Sequence, residues 1–131
     1  MKNSNELEMS FIPNSETGIY KGVKLYINCS NKIYLILLDD IYYLEAQRSY
    51  SLLLYQPDKM ILVSKPLLYF EKILPCDKFI RCHRSYIINI DKIDTVDKIR
   101  KEIKMINTSV IPLASRRFNL FNTLMKSGTL R

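Results

Sequence analysis

The sequence predicts a mainly β protein of short strands, with one helix mid-chain and one at the end. Three observations lead there. Val23 to Cys29 alternates apolar and polar residues, the period-two mark of a half-buried strand. Further short apolar runs are each bounded by turn chemistry. The apolar spacing turns helical only twice, at Leu67, Phe70, Ile73 and Leu74 and again at Phe118, Phe121, Leu124 and Met125. No strand–helix–strand alternation recurs, so a doubly wound parallel sheet is not expected.

Taken in order, residues 1–22 carry little periodicity and include Pro13, Asn14, Ser15 and Gly18. They read as a loose N-terminal arm, and the domain proper runs from 23 to 131. After the strand ending at Cys29, Ser30-Asn31 turns the chain into Ile33 to Leu38, a more buried strand. Asp39-Asp40 breaks it, and Ile41 to Leu44 is the next strand. Glu45 to Ser49 is a polar loop. Tyr50 to Tyr55 and Met60 to Val63 form a hairpin about Pro57-Asp58. Ser64 is a good helix N-cap and Pro66 suits the first turn, so a helix of about ten residues follows and ends at Pro75. Phe79 to Cys82 and Tyr86 to Ile88 are short strands flanking the polar knot His83-Arg84-Ser85. Asn89 closes the second of them and is expected to satisfy buried backbone groups. Ile93 to Asp97 pairs with Lys101 to Ile106 as a hairpin. Pro112 confines Val110 to Leu113 to a sheet edge. Ser115 then caps the final helix, with Gly128 as its C-cap.

Composition narrows the function. The 131 residues fit one domain and suffice to bury a core without metal or disulfide staples. Three cysteines, an odd count without framework spacing, point to free thiols in a reducing compartment. The polar N-terminus has no apolar stretch behind it, which argues against a signal peptide, and no run approaches the length of a membrane span. A cytoplasmic location is expected. Only three glycines leave little scope for a phosphate-cradling loop. The net charge of +7 is unevenly placed: residues 1–60 sum to −1 and residues 61–131 to +8. A basic half favours a polyanionic partner, nucleic acid before membrane; the alternative is a basic protein without such a partner.

Enzyme chemistry finds little footing. His83 is the one histidine, and no nucleophile elbow occurs. Cys76, Cys82 and His83 could suggest zinc, but adjacent strand residues point to opposite faces. Asp39-Asp40 reads as a turn. No enzyme activity, cofactor or metal is expected. The informative segments are three basic loops: Gln47-Arg48-Ser49-Tyr50, Arg81 to Tyr86, and Ser115-Arg116-Arg117. Each joins guanidinium to hydroxyl or aromatic groups, the groups that hold phosphates and read base edges. Two arginines in the first turn of a helix also oppose its dipole, a penalty that a bound anion would remove. The alternatives are plain: Arg81 and Arg84 in surface ion pairs with Asp77 or Asp91, Tyr50 packed on a sheet, and His83 as a structural histidine.

Three blocks resemble one family. Asp40-Ile41-Tyr42-Tyr43-Leu44-Glu45-Ala46 followed by Arg48-Ser49-Tyr50 is similar to the opening block of LytTR domains. Phe79-Ile80-Arg81-Cys82-His83-Arg84-Ser85-Tyr86-Ile87-Ile88-Asn89 resembles the family signature. Ile111-Pro112-Leu113-Ala114-Ser115-Arg116-Arg117 is similar to its closing block. The order is right, and the resemblance covers about residues 23–126. It implies about ten short antiparallel strands in small sheets with one or two short helices. It implies a bacterial transcription regulator that binds duplex DNA by loops entering successive major grooves. Matched position by position, the DNA-binding loops fall on Arg48, Ser49, Tyr50 and Ser51, on His83, Arg84 and Ser85, and on Ser115, Arg116 and Arg117. Tyr50 stands where some members carry His or another polar reader. Many members carry a receiver domain ahead of this block, for which residues 1–22 are too short. The expected partner is double-stranded DNA of a promoter region, with room for repeated sites, a dimer on DNA and a regulatory partner protein. No small-molecule substrate is expected. The competing reading is a protein-interaction module whose basic loops meet an acidic or membrane-bound regulatory partner. A third is single-stranded RNA binding with tyrosines as stacking platforms.

Overall fold

The computed structural model describes residues 5–13, 20–29 and 31–128. Eleven strands form three small antiparallel sheets, with two short α-helices. Strands β1 (Asn5–Pro13), β2 (Tyr20–Cys29) and β3 (Lys32–Leu37) make the first sheet. The central sheet has five strands in the order β6-β5-β4-β8-β7, from β4 (Ile41–Gln47), β5 (Tyr50–Tyr55), β6 (Lys59–Val63), β7 (Phe79–His83) and β8 (Tyr86–Asn89). Helix α1 (Leu67–Ile73) links β6 to β7. Strands β9 (Ile93–Asp97), β10 (Glu102–Met105) and β11 (Val110–Pro112) make the third sheet, and α2 (Phe118–Gly128) ends the described chain.

The central sheet is covered on both faces, which accounts for its unbroken apolar runs. One face turns Leu44, Leu53, Ile61, Val63, Phe79 and Ile87 onto Leu25, Ile27 and Ile36 of the first sheet and Leu67 and Phe70 of α1. The other turns Tyr42, Leu54, Ile80, Cys82 and Ile88 onto Ile103, Met105 and Ile111 of the third sheet and Phe121 of α2. Neighbouring residues Ile87 and Ile88 thus enter different cores, as a period of two requires. Full burial of side chains such as Phe70 and Phe121 contributes roughly 1.5–3 kcal/mol each. Asn89 is wholly buried and acts as a polar rivet. Its Nδ2 donates to the Ile41 carbonyl at 2.8 Å and the Leu38 carbonyl at 3.4 Å, and its Oδ1 accepts from the Asp91 N–H at 2.9 Å. It ties β8 to the 3₁₀ turn Leu38–Asp40 and caps the 3₁₀ turn Ile90–Lys92.

The structure departs from the sequence reading at several elements. Order begins well before Val23: β1 lies within the segment read as an arm and pairs with β2, Leu7 opposite Ile27 and Met9 opposite Leu25. The turn residue Ser30 lies outside the described residues, as do Asn14, Ser15 and Gly18. Strand β3 is an edge strand rather than a buried one, with Ile33 and Leu35 more than half exposed. Glu45, Ala46 and Gln47 extend β4, so the polar loop shrinks to the two residues Arg48 and Ser49. Pro66, not Ser64, is the N-cap of a helix shorter than expected, because its extended backbone cannot belong to the first turn.

Candidate nucleic-acid interface

Topology gathers the three basic loops at one end of the central sheet. Strands β4 and β8 are antiparallel neighbours with Glu45 opposite Tyr86. The end of β4 therefore lies beside the start of β8. One further ladder bond, from the Ala46 N–H to the Ser85 carbonyl at 2.8 Å, carries the pairing up to the turns. The β4–β5 turn (Arg48, Ser49) and the β7–β8 turn (Arg84, Ser85) stand side by side, about 10 Å apart at two strand spacings. On the other flank of β7, the Ala114 N–H donates to the Cys82 carbonyl at 2.9 Å. That bond brings Ser115, Arg116 and Arg117 to the same edge.

Local backbone fits each loop to display its side chains. Arg48 has φ of 61°, and Ser49 does not share the positive sign, the pattern of a II′ hairpin turn where glycine is usual. An L-residue there carries a strain of about 1–2 kcal/mol. Ser115–Arg117 form a 3₁₀ turn ahead of α2, and its N-cap is Ala114, which gives no side-chain cap hydrogen bond. The arginines thus precede the α-helix rather than occupy its first turn, which corrects the capped-helix expectation. Tyr50 is 44% exposed at the start of β5. Ser51 is a correction as well: it is fully buried and its Oγ donates to the Lys65 carbonyl at 2.7 Å, so it supports the edge from inside and offers nothing to a partner.

The five arginines of the three loops divide into two kinds. Arg81 and Arg117 are engaged. The Arg81 guanidinium donates from Nε to the His83 carbonyl at 3.1 Å, from Nη2 to the Arg84 carbonyl at 2.5 Å, and from Nη1 to Glu71 at 2.6 Å. It props the β7–β8 turn from beneath. Arg117 Nη1 donates to the Arg81 carbonyl at 3.0 Å and so links the 3₁₀ turn to β7. Arg48, Arg84 and Arg116 are exposed, and among the described residues none of them makes a side-chain hydrogen bond or ion pair. Each loop therefore presents one uncommitted guanidinium. The pairings weighed from sequence, Arg81 or Arg84 with Asp77 or Asp91, do not form; Asp91 and Asp39 instead hold Lys78.

The His83 pKa is shifted downward. Burial lowers its pKa first, and the positive charges of Arg84, Arg117 and Arg81 lower it further. Its Nδ1 accepts the Ser85 N–H at 3.1 Å, which assigns the ring proton to Nε2 as an available donor. Tyr86 stacks edge-on to His83 at 5.9 Å, and its hydroxyl pKa is raised by burial and then by the Glu45 carboxylate. Cys82 is buried, its thiol pushed up to about 12 mainly by desolvation, and it faces the Pro112 carbonyl at 3.7 Å. A protonated, buried thiol is neither a nucleophile nor a ready metal ligand. The props Arg81 and Lys65 were missed from sequence as structural parts of the edge. Only the period-two position of Arg81, opposite to that of Ile80 and Cys82, pointed outward.

A family model, the LytTr DNA-binding domain, matches residues 31–126. The chain belongs to the LytTR family. A solved structure agrees: the LytTr DNA-binding domain of a putative methyl-accepting/DNA response regulator from Bacillus cereus, at 25% identity and a TM-score of 0.68, over 80% of this chain and 97% of that one. Among curated proteins none matches the chain. The mainly β fold of short antiparallel strands is the LytTR fold. The family is a DNA-binding and not an enzymatic one, so DNA is the partner of this domain. No helix among the described residues is long and apolar enough to cross a membrane.

Proposed function

We propose that this LytTR domain is a sequence-specific transcription regulator, acting in the cytoplasm, that reads duplex DNA through its three clustered loops. The observation that carries the reading is the division of labour among the arginines: Arg48, Arg84 and Arg116 are uncommitted on three adjacent loops, while Arg81 holds the β7–β8 turn and Arg117 holds the 3₁₀ turn. A guanidinium can bond guanine O6 and N7 as a pair in the major groove, and one on a propped turn loses little freedom in doing so. Ser49, Ser85 and Ser115 supply hydroxyls for phosphates, and the Nε2–H of His83 is a further donor at the centre of the row. Repeated sites and a second copy of the domain on DNA are compatible with this edge.

The two arginines of the 3₁₀ turn test the division. Arg116→Ala is expected to weaken binding to the preferred duplex by about 1–3 kcal/mol with the melting temperature unchanged. Arg117→Ala is expected to weaken all duplexes alike and to lower the melting temperature, since the Arg81 carbonyl loses its donor. Titrations against preferred and scrambled duplexes, beside thermal melts, distinguish them. Wild-type binding by both variants takes the loop off the DNA.

Arg48 offers a second test, because its backbone strain has no structural return. Arg48→Gly is expected to raise stability by about 0.5–1 kcal/mol, strain relief exceeding the extra chain entropy of glycine. The same variant is expected to bind the preferred duplex more weakly. Chemical denaturation and duplex titration of one preparation check both; a variant that loses stability would make Arg48 a structural residue.

A further inference from the structure

A fourth basic turn lies on the same edge and belongs to none of the three loops. Residues Lys98, Ile99, Arg100 and Lys101 join β9 to β10. Glu102 pairs with Pro112, and the Leu113 N–H donates to the Lys101 carbonyl at 2.9 Å. The turn therefore stands beside residues 113–117, on the side of the 3₁₀ turn away from the β7–β8 turn. By strand spacing it is about 10–15 Å from Arg84 along the edge.

The turn is held in shape. Asp97 Oδ1 accepts the N–H groups of Ile99 at 3.0 Å and Arg100 at 2.9 Å. Lys101 has φ of 56°, and its ammonium sits over the Phe118 ring at 5.1 Å, which anchors the turn's base to α2. With Asp97 Oδ1 taken up by its own turn and Lys101 on the ring, Lys98 and Arg100 are the remaining cations of the turn. The Asp97 pKa is lowered, first by the N–H of Arg100 and further by the Arg100 charge close by. Both are exposed, and neither makes a salt bridge among the described residues. Ile99 between them is 90% exposed; single exposed apolar residues are common, so the cations carry the argument.

We propose that this turn is a fourth contact of the same domain, in which Lys98 and Arg100 grip the phosphate backbone of the duplex flanking the stretch that the three loops read. The inference rests on the DNA-reading edge proposed above. A duplex presents one phosphate charge per about 1.7 Å of axis, so roughly six lie in the next 10 Å beyond the 3₁₀ turn. Two cations on a fixed turn at that distance meet phosphates without searching for a base. The contact adds affinity and salt dependence and no sequence preference.

The test is the salt dependence of binding to a fluorescent 40-base-pair duplex of random sequence, for wild type and the double variant Lys98→Ala/Arg100→Ala, with a poly-glutamate peptide as a second probe. Two lost phosphate contacts lower the slope of log K against log salt by about 1.8. Between 50 and 200 mM salt, wild type should lose about 12-fold more affinity than the variant. The preference for a selected duplex over a scrambled one should be retained, and near-ultraviolet circular dichroism should match wild type. A slope equal to that of wild type overturns the fourth contact and leaves the three-loop reading standing. Loss of poly-glutamate binding with the duplex slope intact also overturns it, and makes the turn a site for an acidic protein. If wild type itself shows no salt-dependent duplex binding, the DNA-reading edge fails first and the fourth contact with it.

Discussion

Asn89→Ala is expected to lower the unfolding free energy by about 2–4 kcal/mol, the largest stability effect of any single polar substitution in the domain. The amide serves three backbone groups from a fully buried position. Alanine leaves the buried Ile41 carbonyl without its side-chain donor, at about 1–3 kcal/mol, and takes the cap from the Asp91 N–H, at about 1 kcal/mol. Asn89→Asp keeps the shape and one acceptor but sets a carboxylate against two carbonyls, so it should be no better tolerated at neutral pH. Urea denaturation of both variants measures the effect. Unchanged melting with lost DNA binding would assign Asn89 to the contact surface and contradict its burial.

Arg84→Ala is expected to weaken binding as strongly as any single substitution on the edge. The side chain stands at the tip of the propped β7–β8 turn, and the fold uses only its carbonyl, which accepts from Arg81. Truncation should therefore leave the melting temperature near wild type while affinity for the preferred duplex falls by about 1–3 kcal/mol. Arg84→Lys is the sharper variant. An ammonium keeps the charge but not the planar fork that pairs with guanine O6 and N7. It is expected to bind scrambled duplexes like wild type and to lose the margin between preferred and scrambled. If the margin survives, Arg84 is a phosphate clamp and not a base reader.

Much of this was legible in the sequence because the residues obey a period of two. The starts of β7 and β8, the turn at Arg84-Ser85 and the role of Asn89 follow from alternation and turn chemistry alone, while His83 and Asn89 lengthen the two strands by one residue each. The same rule, applied further, would have found β1: Leu7, Met9 and Phe11 alternate with Glu6, Glu8 and Ser10. It would also have turned Ser51 inward, since Ser51 shares the face of Leu53. A hydroxyl beside an exposed tyrosine looked like a contact group, and its residue type outweighed its position. Other features were not local. An apolar run such as Ile33 to Leu37 fits a buried strand and an edge strand equally well, and only the strand order decides. The engagement of Arg81 with Glu71 depends on where α1 packs, which no spacing along the chain encodes.

One edge of the domain, built from three loops with one uncommitted arginine each, is expected to read duplex DNA by sequence. The most direct measurement is repeated selection of bound molecules from a random duplex library at physiological salt, using the wild-type domain. The recovered pool is expected to converge on a recurring motif containing guanine at positions whose change weakens binding, and Arg84→Lys is expected no longer to enrich it. A pool that stays random through the selection, or a motif that Arg84→Lys and Arg116→Ala enrich as well as wild type does, would contradict it.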